Sequence, residues 1–584
     1  MLQPIAALSA LTLLLLLVGA CSSSGTAAAA SESPAGGALA DAAVDAPGTP
    51  EPVPCSGKTG TFHDQSLGSE GETRHFWLHV PATYRCEKPA ALVVDFHGTG
   101  YGTATDSVEE SWATPGLESA SDVEGFIVVR PRSRMKAAPQ SGSFYYQWDI
   151  NPGDVAKNKA FALALVDDLR HRYHVDPARI YATGFSNGPS MAAQFLADEP
   201  STFHGYGLIA GGLNAPLARK SAFGKDAPRI YSMTGFRDYM LTAKDILEAF
   251  LREKSFPADH RFDREADTGH EVYGWHFREA FAWMDRGSRP APGQLKAPWV
   301  AETTGTAESL VEVGADPQGA LVAVGSRGGI FARGTSGTWS RRAALESMSP
   351  LTDVCFLADG RGFAVGHGHL AVTADGSSWS EVAPVPELGA QQFGYTYATT
   401  VGCAGTRVTV GGVWSSATSI DGGKTWSSVP TMPEGGAFLS AIRVSGTRWL
   451  ALGYWNYIGR SADGATFDEV TIPGTTQWWN DGAFADGGRT FAVGEGGAMR
   501  SSSDGTTWST VATPTDEDLY AVAFRAMRGA AVGAHGTVIV TTDGGATWMA
   551  RPTGLDGFLG GVRFADPATL IVTGEHGAAL RLSF

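Results

Sequence analysis

Ile180-Tyr181-Ala182-Thr183-Gly184-Phe185-Ser186-Asn187-Gly188 decides the fold of the first half of this chain. A β-branched and aromatic run enters Gly-x-Ser-x-Gly, and a helical pattern of Met191, Ala192, Ala193, Phe195 and Leu196 leaves it. The order is strand, sharp turn, helix, with a serine at the apex. A serine there projects its hydroxyl clear of a sheet, and glycines on either side leave room for a backbone that a Cβ would block. The peptide N–H after the serine faces the same spot and can hold an oxyanion. Pro189 fits the first turn of the following helix, where proline is tolerated.

Two further groups follow in the order nucleophile, acid, histidine, which is that of an α/β-hydrolase fold. The apolar stretch Arg229 to Thr234 ends in Gly235-Phe236-Arg237-Asp238, a carboxylate just past a strand end. Asp267-Thr268-Gly269-His270 opens a later loop, ahead of a helical pattern through Trp275, Phe277, Ala280, Phe281 and Trp283. A serine hydroxyl needs an imidazole to take its proton and a carboxylate to fix that imidazole. Ser186, His270 and Asp238 are expected to fill these roles. Asp267 is the rival acid, although it stands only three residues before His270. His260, in an expected strand, and His276, in the helical pattern, read as structural.

The oxyanion donors are expected at an earlier strand end. Ala91-Leu-Val-Val-Asp-Phe96 is a near-continuous apolar run, as a buried parallel strand should be. It stops at His97-Gly98-Thr99-Gly100, and the backbone N–H groups of Thr99 and Asn187 are the candidate donors.

Residues from about Cys55 to Gly287 resemble the polyhydroxybutyrate depolymerase and feruloyl esterase group, carbohydrate esterase family 1. The matching pieces are Phe76 to Pro81, Leu92 to Gly98, Gly125 to Val129 before Pro131, Val175 to Tyr181, and the Gly-His pair at 269–270. The resemblance implies a secreted serine esterase acting on ester-bearing polymers or their fragments. This sequence departs from the usual pattern at Pro189, where a glycine is common, and at Thr234, where a histidine is common.

At 584 residues the chain exceeds one core, and two domains or more are expected. A net charge of −16 argues against nucleic acid as partner, since phosphate binding needs a basic face. Residues 1–21 read as a lipoprotein signal peptide: Leu11 to Val18 is a short apolar run, and Val18-Gly19-Ala20-Cys21 resembles a bacterial lipobox with Cys21 as the acylated residue. The run is too short to span a membrane as a helix. Localisation at the bacterial cell envelope follows, at the outer membrane or cell surface, with ordinary secretion as the alternative. Residues 22–54, rich in Ala, Ser, Gly and Pro, read as a disordered tether. Cys55 with Cys86, and Cys355 with Cys403, is the disulfide pairing that stays within domains. No spacing suggests a metal site, and no cofactor is expected.

The second half repeats. An apolar pair followed by glycine recurs at Gly325, Gly366, Gly411, Gly453, Gly494, Gly533 and, in a looser form, at Gly574. The period of roughly forty residues lies in the propeller range. Most repeats then carry Ser/Thr-x-Asp-Gly-x-x-Trp or a variant one residue longer: Thr373 to Trp379, Ser419 to Trp426, Ser461 to Phe467, Ser502 to Trp508 and Thr541 to Trp548. This is the Asp-box, a hairpin turn in which the carboxylate accepts from turn N–H groups. The array resembles the photosystem II assembly-factor and sortilin-like group of propellers. The expected organisation is therefore an α/β-hydrolase at 55–290, a linker at 291–300, and an all-β propeller of seven blades at 301–584.

Tyr395, Tyr397, Trp414, Trp455, Tyr457, Trp478 and Trp479 gather in repeats three to five. They are either inter-blade packing or an exposed surface for sugar rings, an apolar polymer or a partner protein. The composite reading is a lipid-anchored serine ester hydrolase with the propeller as a separable binding or scaffold module. A non-catalytic surface lipoprotein and a serine peptidase on the same fold are the alternatives.

Overall fold

The computed structural model describes residues 55–584 apart from 56, 103–115, 138–143, 150, 214–220, 236–237, 239, 267–269, 271, 290–292, 346–348, 368, 383–397, 413–415, 430–438, 455, 471 and 473–476. The segments expected to be signal peptide and tether, with Cys21, lie outside the described residues, as do Asp267, Tyr395, Tyr397, Trp414 and Trp455.

The first domain is built on one eight-stranded sheet. Its strands are β1 (Gly60–Ser69), β2 (Glu72–Val80), β3 (Ala90–Phe96), β4 (Ile127–Pro131), β5 (Val175–Phe185), β6 (Gly205–Ile209), β7 (Arg229–Gly235) and β8 (Arg261–Ala266). Their spatial order is β1-β2-β4-β3-β5-β6-β7-β8. β1 and β2 are antiparallel to their neighbours, and β4, β3 and β5 to β8 run parallel. Alternate side chains of β3 serve two cores. Leu92, Val94 and Phe96 pack with α2 (Pro152–Arg172), α3 (Gly188–Asp198) and α4 (Leu241–Glu253). Ala91 and Val93 pack with α1 (Leu117–Glu124) and α5 (Gly274–Arg286) on the opposite face. Burial on both faces explains why the strand reads as one apolar run. This is the expected α/β-hydrolase architecture.

The second domain is a seven-bladed β-propeller: seven four-stranded antiparallel sheets follow one another along the chain. The repeated glycine ends the second strand of each blade, where the backbone passes close to the start of the blade. A Cβ on Gly533 would lie 1.7 Å from the Asp518 carbonyl oxygen. The Asp turns form as expected. Asp421 accepts from the N–H groups of Lys424 at 3.0 Å and Thr425 at 2.9 Å, and these bonds hold its carboxyl well below the usual range.

The boundary at 291–300 needs correction. Val300–Ala301 forms the outer strand of the seventh blade, pairing with Arg581 and Leu580. Trp299 is buried beneath it, and its indole N–H donates to the Arg551 carbonyl. A ring of blades must close on itself to remove its free edges, and the strand following the linker does so. The expected disulfides are present: Cys55 bonds Cys86, and Cys355 bonds Cys403, tying the inner strands of adjacent blades.

The channel of the propeller is bridged by one guanidinium. Arg443 Nη2 lies 2.8 Å from Glu312, Nη1 2.9 Å from Asp353 and Nε 2.7 Å from Asp481, each on the inner strand of a different blade. Removing one partner of a buried ionic cluster leaves the others uncompensated. Arg443→Ala is expected to lower the unfolding free energy of the propeller by about 3–5 kcal/mol, read as a shifted urea midpoint.

Candidate active site

β5 ends at Phe185 and α3 begins at Gly188, so Ser186 sits at the apex between them. Its φ is +59°, in the left-handed region that L-residues avoid. Crowding explains the flanking glycines. A Cβ on Gly188 would lie 1.7 Å from the Phe96 carbonyl oxygen, and one on Gly184 would lie 2.7 Å from the Gly188 carbonyl carbon. Pro189 occupies the first turn of α3, as its fixed φ permits.

The three expected side chains meet. His270 Nε2 is 2.7 Å from Ser186 Oγ, and His270 Nδ1 is 2.9 Å from Asp238 Oδ1. Asp238 is fully buried past the end of β7, and its Oδ1 also accepts from the Met240 N–H at 2.7 Å. The Phe185 ring stacks on the imidazole with centroids 4.9 Å apart. An imidazole between a hydroxyl and a buried carboxylate is placed to accept the hydroxyl proton while the carboxylate holds its second nitrogen. The rival histidines stand elsewhere. His276 is buried in α5, where its Nδ1 accepts from the Tyr273 N–H. His260 lies in a 3-10 turn, Ala258–His260, just before β8 rather than in a strand; Pro257 heads that turn.

The loop after β3 lies against the serine: a Cβ on Gly98 would lie 3.1 Å from the Ser186 Cβ. Among the described residues, neither the Thr99 nor the Asn187 N–H has a backbone acceptor. Residues missed in the sequence fix this loop. The Trp148 indole N–H donates to the His97 carbonyl at 2.9 Å, and its backbone N–H donates to Asn187 Oδ1 at 2.7 Å. His97 Nε2 accepts from the Ser133 N–H at 3.0 Å, and its Nδ1 faces the Gly98 carbonyl. That pattern requires a neutral ring, and burial pushes its pKa down to about 3.

The aromatic group of the propeller resolves partly into core. Trp479 is fully buried and Tyr457 nearly so, in clusters that join neighbouring blades, so for these two residues of the candidate binding surface packing is the outcome. Trp478 is half-buried and stacks on Tyr454 with centroids 4.9 Å apart.

The propeller meets the hydrolase on the segments flanking His270. The turns between the second and third strands of several blades make the contact. Tyr273 Oη donates to Glu495 at 3.1 Å, and the Trp275 ring meets His535 edge-on at 4.8 Å. Arg264 of β8, 7% exposed, lies 3.4 Å from Glu575 and donates to the Asp556 carbonyl at 3.0 Å.

No family model matches the chain. Over 152 residues it is 32% identical to the "Putative esterase NocK" of Nocardia uniformis subsp. tsuyamanensis, covering 25% of this chain and 41% of that protein. Over 150 residues it is 29% identical to poly(3-hydroxyalkanoate) depolymerase C of Paucimonas lemoignei, covering 25% of this chain and 33% of that one. The chain thus spans less than half the length of the curated relatives it matches. YCF48 from Cyanidioschyzon merolae, a solved structure, is similar with a TM-score of 0.41 and 17% identity, over 49% of this chain and 99% of that one. Both parts of the expected fusion, a hydrolase domain with esterase and depolymerase relatives and a seven-bladed propeller, are present.

Three buried imidazoles make the fold sensitive to acid. Burial pushes His97 down to about 3, His367 down to about 4, and His276 well below the ordinary value. Unfolded, each titrates near ~6.5, so below that pH the unfolded chain binds more protons than the folded one. Stability is expected to be full above pH ~6.5 and to fall progressively as pH drops toward ~3. Thermal melting across that range measures it. His97→Gln, which keeps a donor and an acceptor, is expected to shallow the slope.

Proposed function

We propose that the protein is a serine ester hydrolase working through an acyl-enzyme. One observation carries the reading: a left-handed serine whose hydroxyl lies 2.7 Å from an imidazole that a buried carboxylate grips at 2.9 Å. Ser186 Oγ attacks the ester carbonyl carbon as His270 Nε2 takes its proton. The carbonyl oxygen becomes an oxyanion facing the N–H groups of Thr99 and Asn187. Collapse of the adduct breaks the bond to the alkoxy group, which leaves as the alcohol with the proton from His270. Water then repeats the sequence on the acyl-serine, releasing the carboxylic acid and restoring Ser186. Asp238 stays ionised throughout and stabilises the imidazolium.

The substrate class is ester-bearing polymers or their oligomers, either polyhydroxyalkanoates or feruloyl and acetyl esters of polysaccharides. Similarity to an esterase and to a poly(3-hydroxyalkanoate) depolymerase supports an ester over an amide. Incubation with a fluorophosphonate probe is expected to label the full chain. Ser186→Ala is expected to abolish labelling, and Asp238→Asn to lower kcat on p-nitrophenyl esters by about 10⁴-fold. Labelling that persists in Ser186→Ala overturns the assignment. Parallel assays on methyl ferulate and on polyhydroxybutyrate separate the two substrate classes.

The same reading places the protein at the bacterial cell envelope, exported and acylated at Cys21. Its support is the apolar run from Leu11 ending in Val18-Gly19-Ala20-Cys21. Among the described residues no helix is long and apolar enough to cross a membrane. Blocking lipoprotein signal cleavage is expected to accumulate the precursor, and Cys21→Ser to release the protein from the membrane fraction. A mature form without lipid favours ordinary secretion instead.

A further inference from the structure

We propose that Trp148 is a positioning residue for the reaction: with its indole and its backbone N–H it sets the direction of both oxyanion donors, the N–H groups of Thr99 and Asn187. The inference rests on the serine hydrolase reading above and deepens it, from which groups face the oxyanion to what aims them.

The need for an aiming device lies in Gly98. A glycine leaves the two peptides on either side of it free to rotate, where a Cβ would restrict them. This glycine lies against the serine, since a Cβ on it would be 3.1 Å from the Ser186 Cβ. In a trans peptide the N–H points opposite the C=O. The Thr99 N–H can face the oxyanion only while the Gly98 carbonyl faces away from it. A flip of that one peptide turns a carbonyl oxygen toward the developing negative charge and replaces attraction by repulsion.

Both peptides are held. The Trp148 indole N–H donates to the His97 carbonyl at 2.9 Å, which fixes the peptide entering Gly98. His97 Nδ1 donates to the Gly98 carbonyl, which fixes the peptide leaving it. The direction of that bond follows from the far side of the ring: Nε2 accepts from the Ser133 N–H at 3.0 Å, so the proton of the neutral imidazole is on Nδ1. The same imidazole packs against the Trp148 ring with centroids 5.1 Å apart, and Phe96 meets the indole edge-on at 5.3 Å. Trp148 is 2% exposed, and a buried N–H keeps its acceptor because leaving it unpaired is costly.

The second donor is reached through the backbone. The Trp148 N–H donates to Asn187 Oδ1 at 2.7 Å. Asn187 is the N-cap of α3, a place where such a side chain ordinarily turns back onto the first N–H groups of its own helix. Here it makes no cap bond, and its oxygen goes to Trp148. The Asn187 carbonyl accepts from the Ser190 N–H at 3.2 Å, so the residue is fixed at its side chain and its carbonyl. Trp148 is tied to the other loop as well. The strand Phe144–Tyr146, two residues before it, pairs antiparallel with Gly100–Gly102, the strand that continues the loop past Thr99. One residue thus joins two donors that are far apart in sequence.

Trp148→Phe keeps a ring and the backbone N–H and removes the indole donor. Asn187→Ala keeps its own N–H and removes the acceptor of the Trp148 peptide. Full-length wild type and both variants are compared on p-nitrophenyl acetate and on its thionoester, in which sulfur replaces the carbonyl oxygen. Each is normalised to active sites by its fluorophosphonate end point, so that loss of folded protein does not enter. Aligned N–H groups distinguish the two substrates, because sulfur is larger and a poorer acceptor than the oxygen for which the donors are placed. Wild type is therefore expected to prefer the ester strongly. In Trp148→Phe, kcat on the ester is expected to fall about 10- to 100-fold with KM within about twofold. Its kcat on the thionoester falls less, so the ester-to-thionoester ratio shrinks. Asn187→Ala shrinks the ratio in the same direction.

An unmoved ratio in Trp148→Phe overturns the proposal whether or not kcat falls, since a general loss of packing slows both substrates alike. A wild type that is labelled but turns over both substrates equally overturns it too. If Trp148→Phe does not fold, Asn187→Ala decides by the same ratio. Absence of probe labelling in the wild-type protein is a separate outcome: it removes the serine hydrolase reading, and the inference with it.

Discussion

The parallel pairing of β3 with β5 is the constraint on which the site depends. It sets Phe96 opposite Gly184, and beyond that pair the two chains part. One turns through His97, Gly98 and Thr99, and the other turns sharply into Ser186. The strands are so close at this point that any side chain at 188 would strike the Phe96 carbonyl. The glycines of the elbow are thus dictated as much by the neighbouring strand as by the chemistry of the serine. A motif read along one strand is, physically, a statement about the adjacent one.

Holding Ser186 at positive φ costs about 1–2 kcal/mol. Packing on either side of it offsets this. α3 buries Met191, Phe195 and Leu196 completely against the sheet. At about 1.5–3 kcal/mol for each such side chain, the burial outweighs the strain several-fold. The Ser186 N–H also keeps an acceptor, the Ile209 carbonyl at 3.2 Å, so the turn is strained without being unsatisfied. Strain of this size persists where the surroundings over-determine the backbone. Crossing the elbow with glycines and starting α3 with Pro189 lets the helix begin at once.

Local pattern carried most of what was legible. The elbow, the apolar run of β3, the order Ser186, Asp238, His270 and the blade period each occupy a short window, and each is present in the structure. The cysteine pairs were legible because the domain boundaries left few choices. What failed to show lies between windows. Nothing near Arg443 marks it as the bridge between three blades, since Glu312, Asp353 and Asp481 are distant in sequence. Trp479 and Tyr457 are a different case. Along the inner strands of the propeller both faces pack against other blades, so burial runs on without alternation. An aromatic residue near a loop then has the same signature whether it is core or surface. In the sequence His97 marks only a strand end, and Trp148 carries no signal of its own. Their role as supports of the loop beside Ser186 appears once Trp148 is seen to reach both His97 and Asn187.

The order of the domains also shapes the contact between them. α5 ends at Arg286, and the strand that closes the propeller begins at Val300. A connection this short, itself packed against the last blade through Leu295 and Trp299, leaves the seventh blade beside the hydrolase. Residues tethered at such range meet at an effective concentration far above that of free partners, so modest polar contacts suffice to hold them. The seventh blade supplies Glu575 and Asp556 to Arg264, and the sixth and fifth supply His535 and Glu495 to the segment after His270. A propeller placed after the hydrolase, and closed by the strand that leaves it, is thereby held with one face on the segments flanking His270.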